Sequence, residues 1–421
     1  MAEPDQTGPL DDRARRGMVA STVEGCTFSI WSSALGGNFL TGMALHLGAG
    51  GFVLGILGAL SSLATMMQLF VAPLVAGLAR RRDFLALFSG IQRVGGALAG
   101  LAALWLLPRP AALYVFVTLQ ALAWIAMAPS TVVWNGYMSD LVPVEVRGRF
   151  FAQRNSWSAL VSMLAVLLFG SILDRWPGAP GFTALYVVAL AAALANLYWW
   201  LRHPELPQGD SRGSHSFWQS VRIPLTRPGP HLTATWFFAA WGFAQGLATP
   251  FYSLALLSYL GLSFTTVSWL ATLASISSIV TAPLWGRWQD RVGQTRAIGI
   301  LTLMLALVPL LYLLGAPLGL APLVVGHLVH GSASAGMGLA NQTLNMQLAP
   351  RQDRASYFAF FAAAAGLTGF LTPVLAGRLA GEHLVPLFIG SALLSGLLSL
   401  LWTVRVEPAL VRQMRQILPA D

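Results

Sequence analysis

Long apolar runs follow one another along this chain, separated by short polar interruptions, and each is long enough to cross a hydrocarbon layer of about 30 Å as a helix. Twelve are recognised, at 18–46, 51–79, 84–107, 111–138, 151–173, 182–201, 232–259, 264–286, 297–315, 321–348, 356–380 and 384–404. No other feature limits the fold as much, because a backbone in lipid must satisfy its own hydrogen bonds and a single run can do so only as a helix. Composition agrees: 56% of the 421 residues are hydrophobic and 10% are charged, too apolar for one water-soluble core. The fold class expected is an all-α membrane protein, with the lipid bilayer as its first partner.

The formal charge of +9 would suggest nucleic acid on a soluble domain. Here the charges sit in loops between apolar runs, so no nucleic-acid partner is expected. All 25 basic residues are Arg, which reads as a compositional bias. With the N-terminus inside, 21 of them fall on the cytoplasmic side, only Arg109, Arg175 and Arg378 fall outside, and Arg93 lies within the third run. Basic residues accumulate in short cytoplasmic loops, so both termini are expected in the cytoplasm. Cys26, the one cysteine, lies in the first run and reads as packing. The polar first seventeen residues and the length of the run that follows argue against a cleavable signal peptide.

The longest polar interruption, 203–230, is rich in Pro, Gly, Ser and Arg and separates six runs from six. The expected organisation is a cytoplasmic tail at 1–17, a six-helix bundle at 18–202, a cytoplasmic linker at 203–230, a second six-helix bundle at 231–405 and a cytoplasmic tail at 406–421. An internal repeat supports the division. DLVPVEVRGRFFA at 140–152 matches QLAPRQDRASYFA at 347–359 at an offset of 207, placing Pro143 on Pro350 and Arg147 on Arg354. At offset 210, Ala72-Pro73-Leu74 falls on Ala282-Pro283-Leu284, Phe28 on Phe238 and Trp31 on Trp241.

After the eighth run stands Gly286-Arg-Trp-Gln-Asp290-Arg291-Val-Gly293-Gln-Thr-Arg296, the pattern G-x-x-x-D-R-x-G-x-x-R. It resembles the signature loop of the major facilitator superfamily, and with the half-repeat the resemblance extends over nearly the whole chain. What it implies is twelve transmembrane helices in two pseudo-symmetric six-helix bundles, in a bacterial inner membrane. In the family such loops latch the halves on the cytoplasmic side. Gly286, Asp290, Arg291, Gly293, Arg296, Arg147 and Arg354 would form that gate here, with Asp290 near Phe150 at the start of the fifth helix and Arg354 as its ionic neighbour. The alternative is that these charges only obey the positive-inside rule. The N-half loop, Gly77-Leu-Ala-Arg80-Arg81-Arg82-Asp83, departs from the pattern, with Arg80 where Asp290 stands in the C-half. A weakened latch there would make the outward-facing state easier to leave.

Polar groups inside apolar runs are costly unless they face a cavity or a partner. Glu24, Phe28, Trp31, Leu35 and Asn38 recur at helical spacing in the first run, and Trp241 and Gln245 answer them in the seventh. His327, His330, Ser334, Asn341 and Asn345 share a face of the tenth, with Gln120, Trp134 and Met138 as repeat partners in the fourth. The resemblance implies that helices 1, 4, 7 and 10 line the central cavity, and these carry the stripes. Glu24 is the candidate for proton coupling; the alternative is an interfacial Glu paired with Arg147 or another loop Arg. Arg93 is expected to face protein or water, pairing with Glu24, with a substrate anion or with a local helix partner.

The chain lacks the pattern G-x-x-x-x-G-K-[ST] and, without any Lys, a P-loop of that form is excluded. No convergent nucleophile, acid and base appear, so an enzyme is not expected. His327 and His330 lack a third ligand in neighbouring turns, so neither a metal nor another cofactor is expected. The reading is a monomeric secondary active transporter of a small amphiphilic organic solute, worked by alternating access, proton-coupled, and an exporter in preference to an importer. The fifth helix lacks the Gly-Pro-rich motif expected of drug/proton antiporters in this family, and the fourth keeps Gln120 without the Arg expected near it. A transport-inactive sensor on the same fold is the alternative.

Overall fold

The computed structural model describes residues 12–75, 78, 80–108, 111–206, 217–227, 229–350, 353–381 and 383–417. Among these residues the secondary structure is entirely helical. In the first half the helices are α1 (Asp12–Ala34), α2 (Gly37–His46), α3 (Gly51–Val75), α4 (Arg81–Trp105), α5 (Ala111–Leu141), α6 (Val144–Arg175) and α7 (Ala179–Arg202). After α8 (Phe217–Thr226) the second half contains α9 (Pro230–Gly246), α10 (Tyr252–Leu254), α11 (Phe264–Val292), α12 (Gln294–Leu313), α13 (Gly315–Leu318), α14 (Leu320–Leu348), α15 (Arg354–Ala380), α16 (Leu384–Leu401) and α17 (Glu407–Ile417).

Among the described residues ten helical segments are long and apolar enough to span a membrane. The other two expected spans are present in broken form. The run 18–46 divides into α1 and α2 at Leu35-Gly36, with Gly37 at φ +50°, and the run 232–259 leaves α9 at Leu247 and continues through a 3₁₀ turn at Thr249–Phe251, α10 and a π turn at Ala255–Tyr259. Glycine admits the left-handed turn at 37, and Pro250 lacks the amide a continuous helix would use. Gly36 and Gly246, at the two breaks, are separated by 210 residues, the offset that also relates Pro73 to Pro283.

Two further segments differ from the sequence expectation. The expected linker contains α8, although its stretch 207–216 lies outside the described residues, as does the N-terminal tail to residue 11. The expected C-terminal tail contains α17, joined to α16 by a π turn at Trp402–Val406. Trp402, just past the end of α16, is fully buried; its indole N–H donates to the Thr295 carbonyl and its ring lies 4.3 Å from Phe237.

The two halves meet along α3 against α15 and along α6 against α11. Both seams depend on residues small enough for backbones to touch. A Cβ at Gly55 would lie 2.2 Å from the Pro373 carbonyl oxygen, and one at Gly170 would lie 2.4 Å from Ser268 Oγ and 2.9 Å from the Phe264 carbonyl. Polar contacts close the same end: Asp174, in the last turn of α6, accepts from the Phe264 and Thr265 amides at 2.9 and 2.8 Å, and Ser253 donates to Asn38 at 2.6 Å. The carboxylate thus sits on the N-terminus of α11, where free amides and the helix dipole favour an anion. All of these contacts lie away from the arginine-rich loops, at the end where α6 finishes and α11 begins. At the arginine-rich end Asp290, Arg291 and Arg296 are exposed. The bundle is therefore closed at its far end, while at its arginine-rich end the charges of the Gly286–Arg296 loop face outward. Large apolar side chains such as Leu74, Leu106 and Leu393 are 79%, 77% and 69% exposed, a surface suited to lipid.

Candidate functional site

Glu24 lies in the middle of α1 with only 2% of its surface exposed, and a carboxylate so buried needs partners. It has two guanidinium groups: Arg93 of α4 at 3.2 Å and Arg154 of α6 at 3.0 Å. Asn196 of α7 joins them, its amide nitrogen donating to the Glu24 carbonyl at 2.9 Å, to Glu24 Oε1 at 3.3 Å and to Thr27 Oγ1 at 3.1 Å. Its Oδ1 accepts from Arg93 Nη1. Arg154 Nε donates to the Ser21 carbonyl and hydroxyl at 3.1 and 3.2 Å. Four helices, α1, α4, α6 and α7, are tied at one point.

Local sequence explains how the cluster fits. Gly25 has no side chain, and a Cβ there would stand 2.9 Å from the Arg154 guanidinium carbon, so the arginine lies across a bare patch of α1. The guanidinium carbon of Arg154 is also 5.1 Å from the Trp134 ring, and that of Arg93 is 4.7 Å from the Phe28 ring, both within cation–π range. Arg93 Nε is buried without a hydrogen-bond partner among the described residues. Beside the cluster is a pocket of about 190 Å³, lined by Glu24, Phe28, Arg93, Trp134 and Arg154 with Gln92, Ser130 and Thr131. Every lining residue comes from the N-terminal half.

Of the residues singled out from sequence, the structure brings Glu24, Phe28, Arg93 and Trp134 to this pocket and places the others elsewhere. Trp31 is buried and donates to the Arg93 carbonyl at 2.8 Å, while Gln120 donates to the Gly96 carbonyl at 3.2 Å, so both tie helices together. Asn38 closes the far end through Ser253 instead of facing a cavity, because the break at Gly36 carries it past the stripe. His327 packs inside the second half, stacked on Tyr312 and 3.0 Å from its hydroxyl. His330 stands 6.0 Å from the Tyr252 ring. Asn345 donates to Asn341 at 3.1 Å, one turn away on the same helix. Trp241 Nε1 and Gln245 Nε2 on α9 are buried without hydrogen-bond partners among the described residues.

The expected gate is not assembled in this state. Asp290 makes no ion pair among the described residues, and Gly286 has open space around it. Gly293 takes φ +88° between α11 and α12, a turn that glycine makes without strain. Arg147 is corrected as a partner for Glu24: it donates to the Ser139 and Val142 carbonyls at 2.7 and 3.1 Å, capping the C-terminus of α5. The Arg354 side chain lies outside the described residues. In the N-half loop Arg80 is exposed, Arg81 pairs with Asp140 at 2.7 Å, and Arg82 pairs with Asp83 and Glu205.

Sequence reasoning missed Arg154 and Asn196. Arg154 was grouped with loop arginines, yet α6 begins at Val144, which puts Arg154 about 15 Å along the helix. Asn196 is a lone amide in the sixth apolar run, and that polarity was the available signal.

Two halves, a broken helix at the matching place in each, one closed end and a buried charge cluster beside a pocket are features of an all-α membrane transporter fold. Residues 234–416 match the Major Facilitator Superfamily model. The second half of the chain is thus similar to that superfamily, and the family and the structural relatives are transporters rather than enzymes. The chain is similar to the crystal structure of the nucleoside transporter NupG, at 15% identity and a TM-score of 0.69, covering 96% of this chain and 100% of the other. The D-xylose-proton symporter is similar at 16% identity and a TM-score of 0.68, covering 93% and 97%. A bacterial homologue of the iron transporter ferroportin in its inward-facing state gives 12% identity and a TM-score of 0.67, covering 94% and 100%. At such identities the likeness is one of fold. No curated protein sequence matches the chain.

Proposed function

We propose that this chain is a secondary active transporter that moves a small amphiphilic organic solute across a bacterial inner membrane by alternating access. The observation that carries the reading is the Glu24 cluster, an ionised network held at the wall of a cavity in a bundle whose halves are joined at one end. Buried charge within a membrane bundle is characteristic of ion and solute pathways. The arginine distribution supports a cytoplasmic arginine-rich end, hence cytoplasmic termini and an inward-facing state. Residues 18–202 and 231–405 would be the moving bodies, and a monomer suffices.

Both ion pairs at Glu24 exist only with its carboxylate ionised, so a proton arriving there would release two guanidiniums together. This makes Glu24 the coupling site we favour. Export is the favoured direction, since the pocket lies towards the end from which an exporter loads.

Paired cysteines on a Cys26→Ser background test alternating access in proteoliposomes: Asn38→Cys with Ser253→Cys at the far end, and Arg149→Cys with Arg287→Cys at the other. A carrier should form each disulfide in a fraction of molecules, and locking either end should prevent the other. Closure at the far end alone, in every condition, would favour a static sensor or scaffold. Once a ligand screen supplies a solute, Glu24→Gln should lose accumulation driven by a pH gradient, and full retention would remove Glu24 from coupling.

A further inference from the structure

We infer that the pocket beside Glu24 takes a monoanionic organic molecule with a single flat apolar body, its anionic group on Arg93 and Arg154 and its body between Phe28 and Trp134. This deepens the carrier reading and rests on it.

The charge balance carries the inference. Among the described residues the cluster holds two guanidiniums and one carboxylate, tied by a neutral amide and by neutral hydroxyls. One positive charge is left over in a buried site, and an uncompensated buried charge is costly. A monoanion cancels it. A neutral ligand leaves it in place, and a dianion reverses its sign.

The hydrogen-bonding capacity points the same way. Arg93 lines the pocket and commits Nη1 to Glu24 and Asn196, while its Nε is buried without a hydrogen-bond partner among the described residues. A guanidinium with unspent N–H groups donates well to a planar carboxylate. Ser130 and Thr131 add hydroxyl groups to the lining, although each also donates to a carbonyl one turn back, so the arginines supply the unspent donors. The body of the ligand is limited by size and shape. A volume of about 190 Å³ falls below the roughly 300 Å³ at which drug-sized pockets begin, which suits one ring better than several. Phe28 and Trp134, each already facing a guanidinium, present the flat apolar surfaces.

The test uses the full-length protein in phosphatidylcholine nanodiscs and isothermal titration calorimetry with three probes of one scaffold: benzoate, benzamide and phthalate, the last a dianion at neutral pH. Benzoate is expected to bind saturably at one site, and benzamide and phthalate at least tenfold more weakly. Arg93→Gln should weaken benzoate at least tenfold, with partial recovery in Arg93→Lys. Trp134→Leu, which leaves both ion pairs intact, should weaken it several-fold. Equal binding of benzoate and benzamide, tighter binding of phthalate, or no benzoate binding would each overturn the assignment. These comparisons need no variant, so a failure of Arg93→Gln to fold leaves the outcome decided. The cysteine pairs separate this inference from the carrier reading. Charge-selective binding with immobile halves would retain the anion site and remove the carrier, whereas mobile halves with no preference for benzoate would do the reverse.

Discussion

Glu24 and Arg154 are worth more together than either is apart. Removing one partner of a buried pair leaves a charge with nothing opposite it, at a cost of about 3–5 kcal/mol. Glu24→Gln strands two guanidiniums and should destabilise by that order, while adding Arg154→Gln should recover part of the loss. Unfolding titrations of both single variants and the double variant in detergent measure this, and a double loss equal to the sum of the two single losses would show that the pair is not coupled. His203, just beyond α7, gives a pH dependence. Burial against Trp200 and Tyr137 holds its pKa down at about 4, and the nearby Glu24 opposes that shift only in part. A His depressed from an unfolded value of about 6.5 favours folding above that pH, and the benefit is lost as pH falls towards 4. His203→Phe should therefore flatten the acid side of the melting profile between pH 6.5 and 4, and an unchanged slope there would rule out His203 as its source. Charge inside an apolar run made Glu24 and Arg93 legible in the sequence. Arg154 was hidden because it stands only three residues past the start of the run at 151–173 and so groups with the loop arginines, whereas the helix had begun at Val144, about two turns before that edge.

At the scale of elements, the α3–α15 seam is where a small change should move a large body. Adding a methyl at Gly55 puts a carbon 2.2 Å from a backbone carbonyl, and neither a rotamer change nor a flexible neighbour can relieve it. Gly55→Ala should cost about 1–3 kcal/mol of far-end closure, the range for overpacking a tight contact. Its readout is the far-end cysteine pair: disulfide yield should fall several-fold in Gly55→Ala, and an unchanged yield would show that the seam does not control closure. The breaks after α1 and α9 show why run counting located the spans but not their shape. Hydropathy sums over a window and is insensitive to one interrupted turn, although Gly36-Gly37 and Thr249-Pro250 carried the local signal. The π turn linking α16 to α17 had no such punctuation in the sequence, and the structure alone reveals it.

For the whole molecule, the half-repeat made the two-bundle fold legible, because duplicated sequence at a fixed offset implies duplicated structure. The open state was not legible: it depends on a free-energy difference of a few kcal/mol between two arrangements of the same helices, which no local pattern records. The signature loop connects the two scales. Asp290 is exposed here, and with the arginine-rich end shut it should meet the start of α6, where a carboxylate is favoured by the free amides. If so, Asp290 stabilises only the state in which the arginine-rich end is shut. Asp290→Asn should then shift the population towards the open state by about 1.4 kcal/mol, roughly tenfold in the ratio of the two. Electron paramagnetic resonance distances between spin labels at 149 and 287, on the Cys26→Ser background in nanodiscs, report this directly. The short-distance population should shrink about tenfold in Asp290→Asn. Arg80→Asp, which restores the motif's acid to the N-half loop, should enlarge it. Identical distance distributions in all three proteins would mean that the loop's charges serve orientation in the membrane and take no part in the motion.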